Sequence, residues 1–221
     1  VIPSVIIDKR IVDVCPGMRV GLIRANVQNT PTGDELWQEL ELAARDVVSR
    51  YELLEINKRP AVAATRRVYK HFGKDPNRYR VASEALCRRL IRGLGIYRLT
   101  TLVDLINLVS IRSGYPISAL DADKLEGDSL SLGIGEEGEY YEGIGRGQLN
   151  IAGMPVYRDA KGGVATPTSD EERTKITELT TRVQININGY AEEMPMAECV
   201  DWVVALLKKY AMATDIETQI I

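Results

Sequence analysis

The chain has 221 residues, 45% of them apolar and 27% charged, with a formal net charge of −3 at pH 7. These are the proportions of an ordinary globular protein, long enough for one domain with a substantial core or for one domain plus a short extension. No apolar run approaches the length needed to span a bilayer, the N-terminus lacks a signal-peptide pattern, and Cys15, Cys87 and Cys199 form no Cys-x-x-Cys pair. A cytoplasmic protein with reduced, buried thiols and no zinc site is therefore expected.

In chain order, the Val- and Ile-rich runs Val5 to Asp8 and Arg19 to Val27 read as strands, and Pro31 to Asp34 as a turn that can cap a helix. From Glu35 to Tyr51, Leu36, Leu40, Ala43, Val47 and Tyr51 fall on one helical face. Ala61 to Phe72 is a second helix, closed by Gly73 and the Asp75-Pro76-Asn77 turn. Ser83 to Leu94 is a third, with Gly93 and Gly95 at its end. Thr100 to Arg112 is a fourth, broken by Gly114 and Pro116. The pattern then changes to short β-type runs at Leu130 to Ile134, Glu139 to Ile144, Leu149 to Tyr157 and Arg182 to Ile187, separated by Gly-rich turns. Pro195 to Tyr210 closes the series as a helix. The expected fold class is α+β, with helices packed on a mainly antiparallel sheet. The chain reads as one domain over 1–221, with an N-terminal strand-helix extension over 1–60.

The small net charge hides a strong segregation. Residues 58 to 98 hold twelve Lys/Arg against two acids, Asp75 and Glu84, a local charge of +10 that leaves −13 for the rest. A phosphate backbone responds to such a local field, which makes Arg66, Arg67, Arg88 and Arg89 candidate RNA-binding residues. The alternative is a set of solvated helix faces whose arginines pair with acids elsewhere, the segment Asp121 to Glu142 being the obvious internal partner.

Several chemistries are absent. There is no Walker loop, no Rossmann glycine signature and no His-rich metal motif, and Gly133, Gly135 and Gly138 are better explained by hairpin turns. His71 is the only histidine, and no Gly-x-Ser-x-Gly elbow accompanies it, which argues against a Ser-His-Asp or Cys-His apparatus.

One constellation is more specific. Val103-Asp104, Asn107, Pro116, Asp121, Lys124-Leu125 and Gly127 follow one another through a helix, a Gly-Tyr-Pro break and an acidic turn. Gly138-Glu139 and the Thr-rich approach from Thr174 to Asn186 come after them. In order and spacing this series resembles the editing module, the B3/B4 domain, of the phenylalanyl-tRNA synthetase beta subunit, over roughly residues 65 to 190. The resemblance implies that family's α+β fold, the aminoacylated 3′ end of tRNA as partner, and hydrolysis of a mischarged ester without metal or other cofactor. Such editing answers a discrimination problem that binding alone does not solve. An aminoacyl ester is already reactive, so water held near the carbonyl and hydrogen bonds to the developing oxyanion can suffice.

Carried over position by position, the family's pocket asparagine matches Asn107. Its histidine beyond the turn proline is replaced by Ser118, and its strand glutamate corresponds by spacing to Asn186. These three are the catalytic candidates. Thr166 and Thr168, in the loop that replaces the family's Gly-rich pocket wall, and Glu139 are the substrate-binding candidates. Loss of the histidine and glutamate argues against retained specificity for a phenol hydroxyl, which needs a buried polar partner. Each residue also has a purely structural alternative. Asn107 can bridge to a loop, Asp104 and Asp121 can fix helix ends and turns, Glu139 can be a solvated strand residue, and the hydroxyl-rich loop of Thr166, Thr168, Ser169 and Asp170 can be a flexible linker instead of an oxyanion wall.

No segment resembles the synthetase's ATP-binding motifs, so a free-standing editing module is expected, a trans-acting aminoacyl-tRNA deacylase. A non-catalytic tRNA- or RNA-binding module of the same fold is the alternative, and a small-molecule binder the third. The deacylase expectation carries a geometric one: Asn107, Ser118 and Asn186 should converge on one cavity, with Ser118 at its mouth.

Overall fold

Strand and helix boundaries in the first half follow the sequence closely. The computed structural model describes residues 1–221. β1 (Ser4–Ile7) leads into a short helix, α1 (Lys9–Val14), which Asp8 caps by accepting the Arg10 N–H at 2.8 Å. β2 (Arg19–Asn26) precedes α2 (Asp34–Arg50), whose Leu36, Leu40, Ala43 and Val47 are buried as their spacing requires. α3 (Pro60–His71) starts with proline at a position where a missing N–H costs nothing. α4 (Ala82–Ile91) stops short of Leu94, because Gly93 and Gly95 both take positive φ. α5 (Thr101–Ser113) ends on Gly114 at φ +74°, the left-handed cap conformation that favours glycine, with Glu193 Oε2 2.5 Å from where a Cβ would stand.

The second half is strand-rich: β3 (Ile117–Asp121), β4 (Ser129–Ile134), β5 (Tyr140–Gly143), β6 (Gly147–Asn150), β7 (Pro155–Arg158), β8 (Gly163–Ala165) and β9 (Arg182–Gly189). α6 (Met196–Tyr210) and β10 (Thr214–Ile220) complete the chain. The single run expected from Leu149 to Tyr157 is two strands with a turn between them. There Gly135 lies so close to Ile151 that a Cβ would stand 1.9 Å from its carbonyl oxygen. α1, β3, β8 and β10 have no counterpart in the sequence expectations. β10 is polar and exposed, and it is a strand because it pairs along β2.

The strands form two four-stranded sheets and a hairpin. One sheet has the order β10-β2-β9-β3 and is antiparallel throughout. The other has the order β1-β4-β7-β8, with β1 and β4 parallel and the remaining pairs antiparallel, and β5-β6 stand apart. This is the expected α+β architecture. β2, from the N-terminal part of the chain, is an inner strand of its sheet.

β9 is buried on both faces, and the two faces differ in kind. Val183, Ile185 and Ile187 join the largest core cluster, together with Leu105 and Leu108 of α5 and Val203 and Leu207 of α6. Gln184, Asn186 and Asn188 alternate with them on the opposite face. There Gln184 Nε2 donates to Asn186 Oδ1 at 2.9 Å, and Asn188 Nδ2 donates to the Pro116 carbonyl at 3.1 Å. Tyr157 of β7 donates its hydroxyl to Asn188 Oδ1 at 2.5 Å. A polar layer therefore joins the two sheets beside a second apolar cluster that includes Leu120, Leu132 and Tyr157.

Candidate functional site

The feature best suited to hold a ligand is a cleft of ≈ 400 Å³ between α5, the edge strand β3 and the segment 170–176. Leu99, Thr100, Val103, Ile106 and Asn107 line one side of it. Val103 and Asn107 stand four residues apart on α5 and so share a helical face. Ile117 and Ala119, alternate residues of β3, form the floor, and Ile144, Asp170, Lys175 and Ile176 close the far wall. The far wall is tied in place by backbone pairing. The Ile144 N–H donates to the Asp170 carbonyl at 3.0 Å, and Leu120 bridges to Lys175.

The polar groups of this largely apolar cleft are few. Asp170 Oδ2 accepts the Ala119 N–H at 3.2 Å. Burial outweighs that hydrogen bond and pushes the Asp170 carboxyl up to about 8, so it is protonated at neutral pH. Asn107 is half-buried and presents an amide to the cleft. The Thr100 hydroxyl is buried there without a hydrogen-bond partner. Lys175 is held by Glu172 at 2.5 Å, and this pairing draws the Glu172 carboxyl below its usual value. A carboxylic acid, an amide and a free hydroxyl around an apolar floor can orient a carbonyl compound and move one proton.

The helix, break and turn that build the cleft, Val103 to Gly127, lie inside the region that decides the family. The B3/4 domain matches residues 64–195. The chain belongs to the B3/4 domain family. Its fold is similar to that of a solved structure, an N-terminal fragment of the phenylalanyl-tRNA synthetase beta-subunit from Pyrococcus horikoshii. That likeness has a TM-score of 0.50 and 14% identity, covering 96% of this chain and 50% of the fragment. The present chain thus spans about half the length of that fragment, and the likeness at this identity is one of fold. No curated protein sequence matches the chain.

Within this B3/4 domain the three catalytic candidates are not brought together. Asn107 faces the cleft. Ser118 pairs directly with Asn186 across β3 and β9, and both are buried. Because Ile117 and Ala119 turn to the cleft, Ser118 between them points to the other face, into the polar layer between the sheets. The expected convergence on one cavity, with Ser118 at its mouth, is therefore corrected. Strand alternation separates Asn107 from Ser118 and Asn186.

The substrate-binding candidates also lie elsewhere. Thr166 is buried, meets the Tyr141 hydroxyl at 3.1 Å and donates to the Ser169 carbonyl at 2.9 Å. Thr168 is buried against the Tyr69 hydroxyl at 2.7 Å and donates to the Tyr79 carbonyl. Glu139 accepts from Arg158 Nη2 at 2.6 Å and from the Glu136 N–H at 2.8 Å, tying β7 to the loop before β5. Arg158 holds the Glu139 carboxyl below its usual value against the opposing effect of burial. None of the three lines the cleft. Asp104 and Asp121 have the structural roles their turns suggested. Asp104 accepts from the Leu99 N–H and the Thr32 hydroxyl, and Asp121 from the Asp123 N–H and the Thr180 hydroxyl.

Thr100 and Lys175 are polar cleft residues without a place among the sequence candidates, and Asp170 belongs to the loop read from the sequence as a linker or an oxyanion wall. The signal that points to Asp170 is weak in one dimension. It is an acid in the hydroxyl-rich stretch after Pro167, and only the return of that stretch to the edge of β3 places it beside α5.

The basic candidates divide as well. Arg66 is internal, donating to Glu84 Oε2 at 2.8 Å and to Asn77 Oδ1 at 2.7 Å. Its guanidinium is committed to Glu84 and Asn77 and is not a free surface cation. Arg88 donates to the Leu53 carbonyl at 3.1 Å, and Arg89 donates to the Gly95 carbonyl while its guanidinium lies 4.8 Å from the Tyr97 ring centre. Arg67 is exposed. The acidic segment 121–142 supplies no partner to the basic stretch. The ion-paired members Arg59, Arg66, Arg88 and Arg98 meet Glu193, Glu84 and Asp34 instead. No helix is long and apolar enough to cross a membrane.

Proposed function

We propose that this B3/4 domain hydrolyses the ester of an aminoacyl-tRNA, with the cleft between α5 and β3 as its active site. The observation that carries the reading is the meeting of Asn107, which matches the family's pocket asparagine, with the Asp170 carboxyl in one cleft. The amino-acid side chain lies on the apolar floor of Ile117 and Ala119. The Asn107 amide and the Thr100 hydroxyl orient the ester carbonyl and the attacking water.

The water oxygen bonds to the carbonyl carbon, and the bond from that carbon to the ribose oxygen breaks. The departing ribose oxygen takes the Asp170 proton, and the water's second proton restores the Asp170 carboxyl. An acid whose pKa is near the working pH suits such a transfer. With no histidine in the cleft, positioning contributes more than a strong base.

The test is deacylation of a panel of aminoacyl-tRNAs by the 221-residue chain alone. Hydrolysis of at least one ester above the spontaneous rate, lost in Asp170→Asn, is the expected result. Absence of hydrolysis across the panel, with tRNA still bound, would replace this reading by the non-catalytic RNA-binding module. That second reading is favoured by one observation, the closure of Ser118 and Asn186 inside the polar layer.

A further inference from the structure

The C-terminal end of α3 carries Arg67 and, three and four residues on, Lys70 and His71 in its last turn, and all three are exposed. Residues at these spacings are neighbours on one helix face, with Cβ atoms roughly 5–6 Å apart. None of the three takes part in an ion pair, although the chain has 31 acids. They border a groove of ≈ 630 Å³ whose opposite bank is the loop Cys15-Pro16-Gly17. A second depression of ≈ 250 Å³, reaching Asn57, meets the first at Arg67 and Lys70. No Asp or Glu lines either one.

One cation in a last turn is accounted for by the helix dipole. Two unneutralised cations on a single face repel one another, and an anion from outside the chain would relieve that repulsion. The size and chemistry of the groove narrow the choice. Two depressions joined at the same pair of cations exceed one phosphate. The groove offers charge, with Asn57 as its only side-chain amide, so it reads a charged backbone rather than a base.

We propose that this groove binds the phosphodiester backbone of an RNA strand, with Arg67 and Lys70 each neutralising a phosphate and His71 at the rim. The inference rests on the tRNA reading only for which RNA is bound. None of its residues lines the cleft, so it stands or falls separately from hydrolysis.

The experiment measures binding of uncharged tRNA and of a single-stranded RNA probe by fluorescence anisotropy, between about 50 and about 200 mM salt. Arg67→Glu with Lys70→Glu should weaken binding by about tenfold or more, and the slope of log affinity against log salt should fall by about 2. The milder Arg67→Ala with Lys70→Ala should move both quantities the same way, and keeps the test open should the reversal variant fold poorly. Arg45→Glu with Lys208→Glu, two exposed cations elsewhere, makes the same change in net charge and should alter affinity by less than about twofold. An equal loss in this control would assign binding to the overall field and overturn the groove. So would wild-type protein that binds no RNA at low salt, or that binds inorganic pyrophosphate and no RNA. Deacylation that fails while groove-dependent binding persists removes the active-site reading and leaves this one standing.

Discussion

The two faces of β3 hold polar residues in different surroundings, a closed layer between the sheets and an open cleft. Ser118, on the inner face, sits opposite Asn186 in a layer where Gln184, Asn186, Asn188 and Tyr157 hydrogen-bond to one another or to nearby backbone, while the buried Asn186 Nδ2 has no partner. Asp170, Thr100 and Asn107 stand around the outer face. There Asp170 Oδ2 accepts one backbone N–H and the Thr100 hydroxyl has no partner. α3 repeats the contrast between adjacent residues. Arg66 is enclosed by Glu84 and Asn77, and Arg67 faces an open groove. Polar groups matched inside the protein specify its structure. Those left unmatched beside a cavity are the ones available to a ligand.

The largest effect is expected where an enclosed charge loses its partner. Glu84→Ala strands the buried Arg66 guanidinium and should destabilise the fold by about 3–5 kcal/mol, read as the free energy of denaturant unfolding. Arg67→Ala next to it should leave that value within about 0.5 kcal/mol. Similar losses for the two would erase the contrast between them.

Asp170→Asn should lower the deacylation rate by about 10² to 10³, the scale of one oriented group aimed at developing charge, without loss of folded protein. Its titration supplies an independent check. The folded-state value, about 8, lies above the ordinary carboxyl value of 3.8. The neutral form is thus favoured by folding, so the contribution of Asp170 to stability is complete below the unfolded value and declines as pH rises towards 8. Asp170→Asn should flatten that decline, and wild-type kcat should fall as pH rises through about 8. A kcat that rises through that value would make Asp170 a base rather than an acid.

Asn107→Ala should reduce the rate by about tenfold to a hundredfold, with KM for tRNA nearly unchanged if the proposed groove holds the phosphates. The smallest effect belongs to Ser118→Ala, for which a change of under about 1 kcal/mol in stability and an unaltered rate are expected. A tenfold loss of kcat at constant stability would return Ser118 to the chemistry and connect the two faces of β3.

Much of the helical half was legible because its signals are local. Apolar spacing in α2, Gly73 after α3 and glycine after α5 each act within a turn or two. The order of motifs from Val103 to Gly127 likewise located the helix that forms one wall of the cleft. The strands were less legible. β10 reads as polar chain and is a strand because β2 offers it an edge, and β3 is a five-residue segment organised by β9.

The sequence by itself determined the family, the α+β class, the helix that carries Asn107 and the segregation of positive charge into residues 58–98. These follow from residue type and spacing along the chain. Only the tertiary structure decided which polar residues share a cavity. Strand alternation turned Ser118 away from Asn107. The return of the chain after Pro167 brought Asp170 up to the edge of β3. α4 placed Glu84 against Arg66 and left Arg67 without an acid. Each is a contact between residues far apart in sequence or a choice of face within an element, and linear spacing specifies neither until the elements are packed.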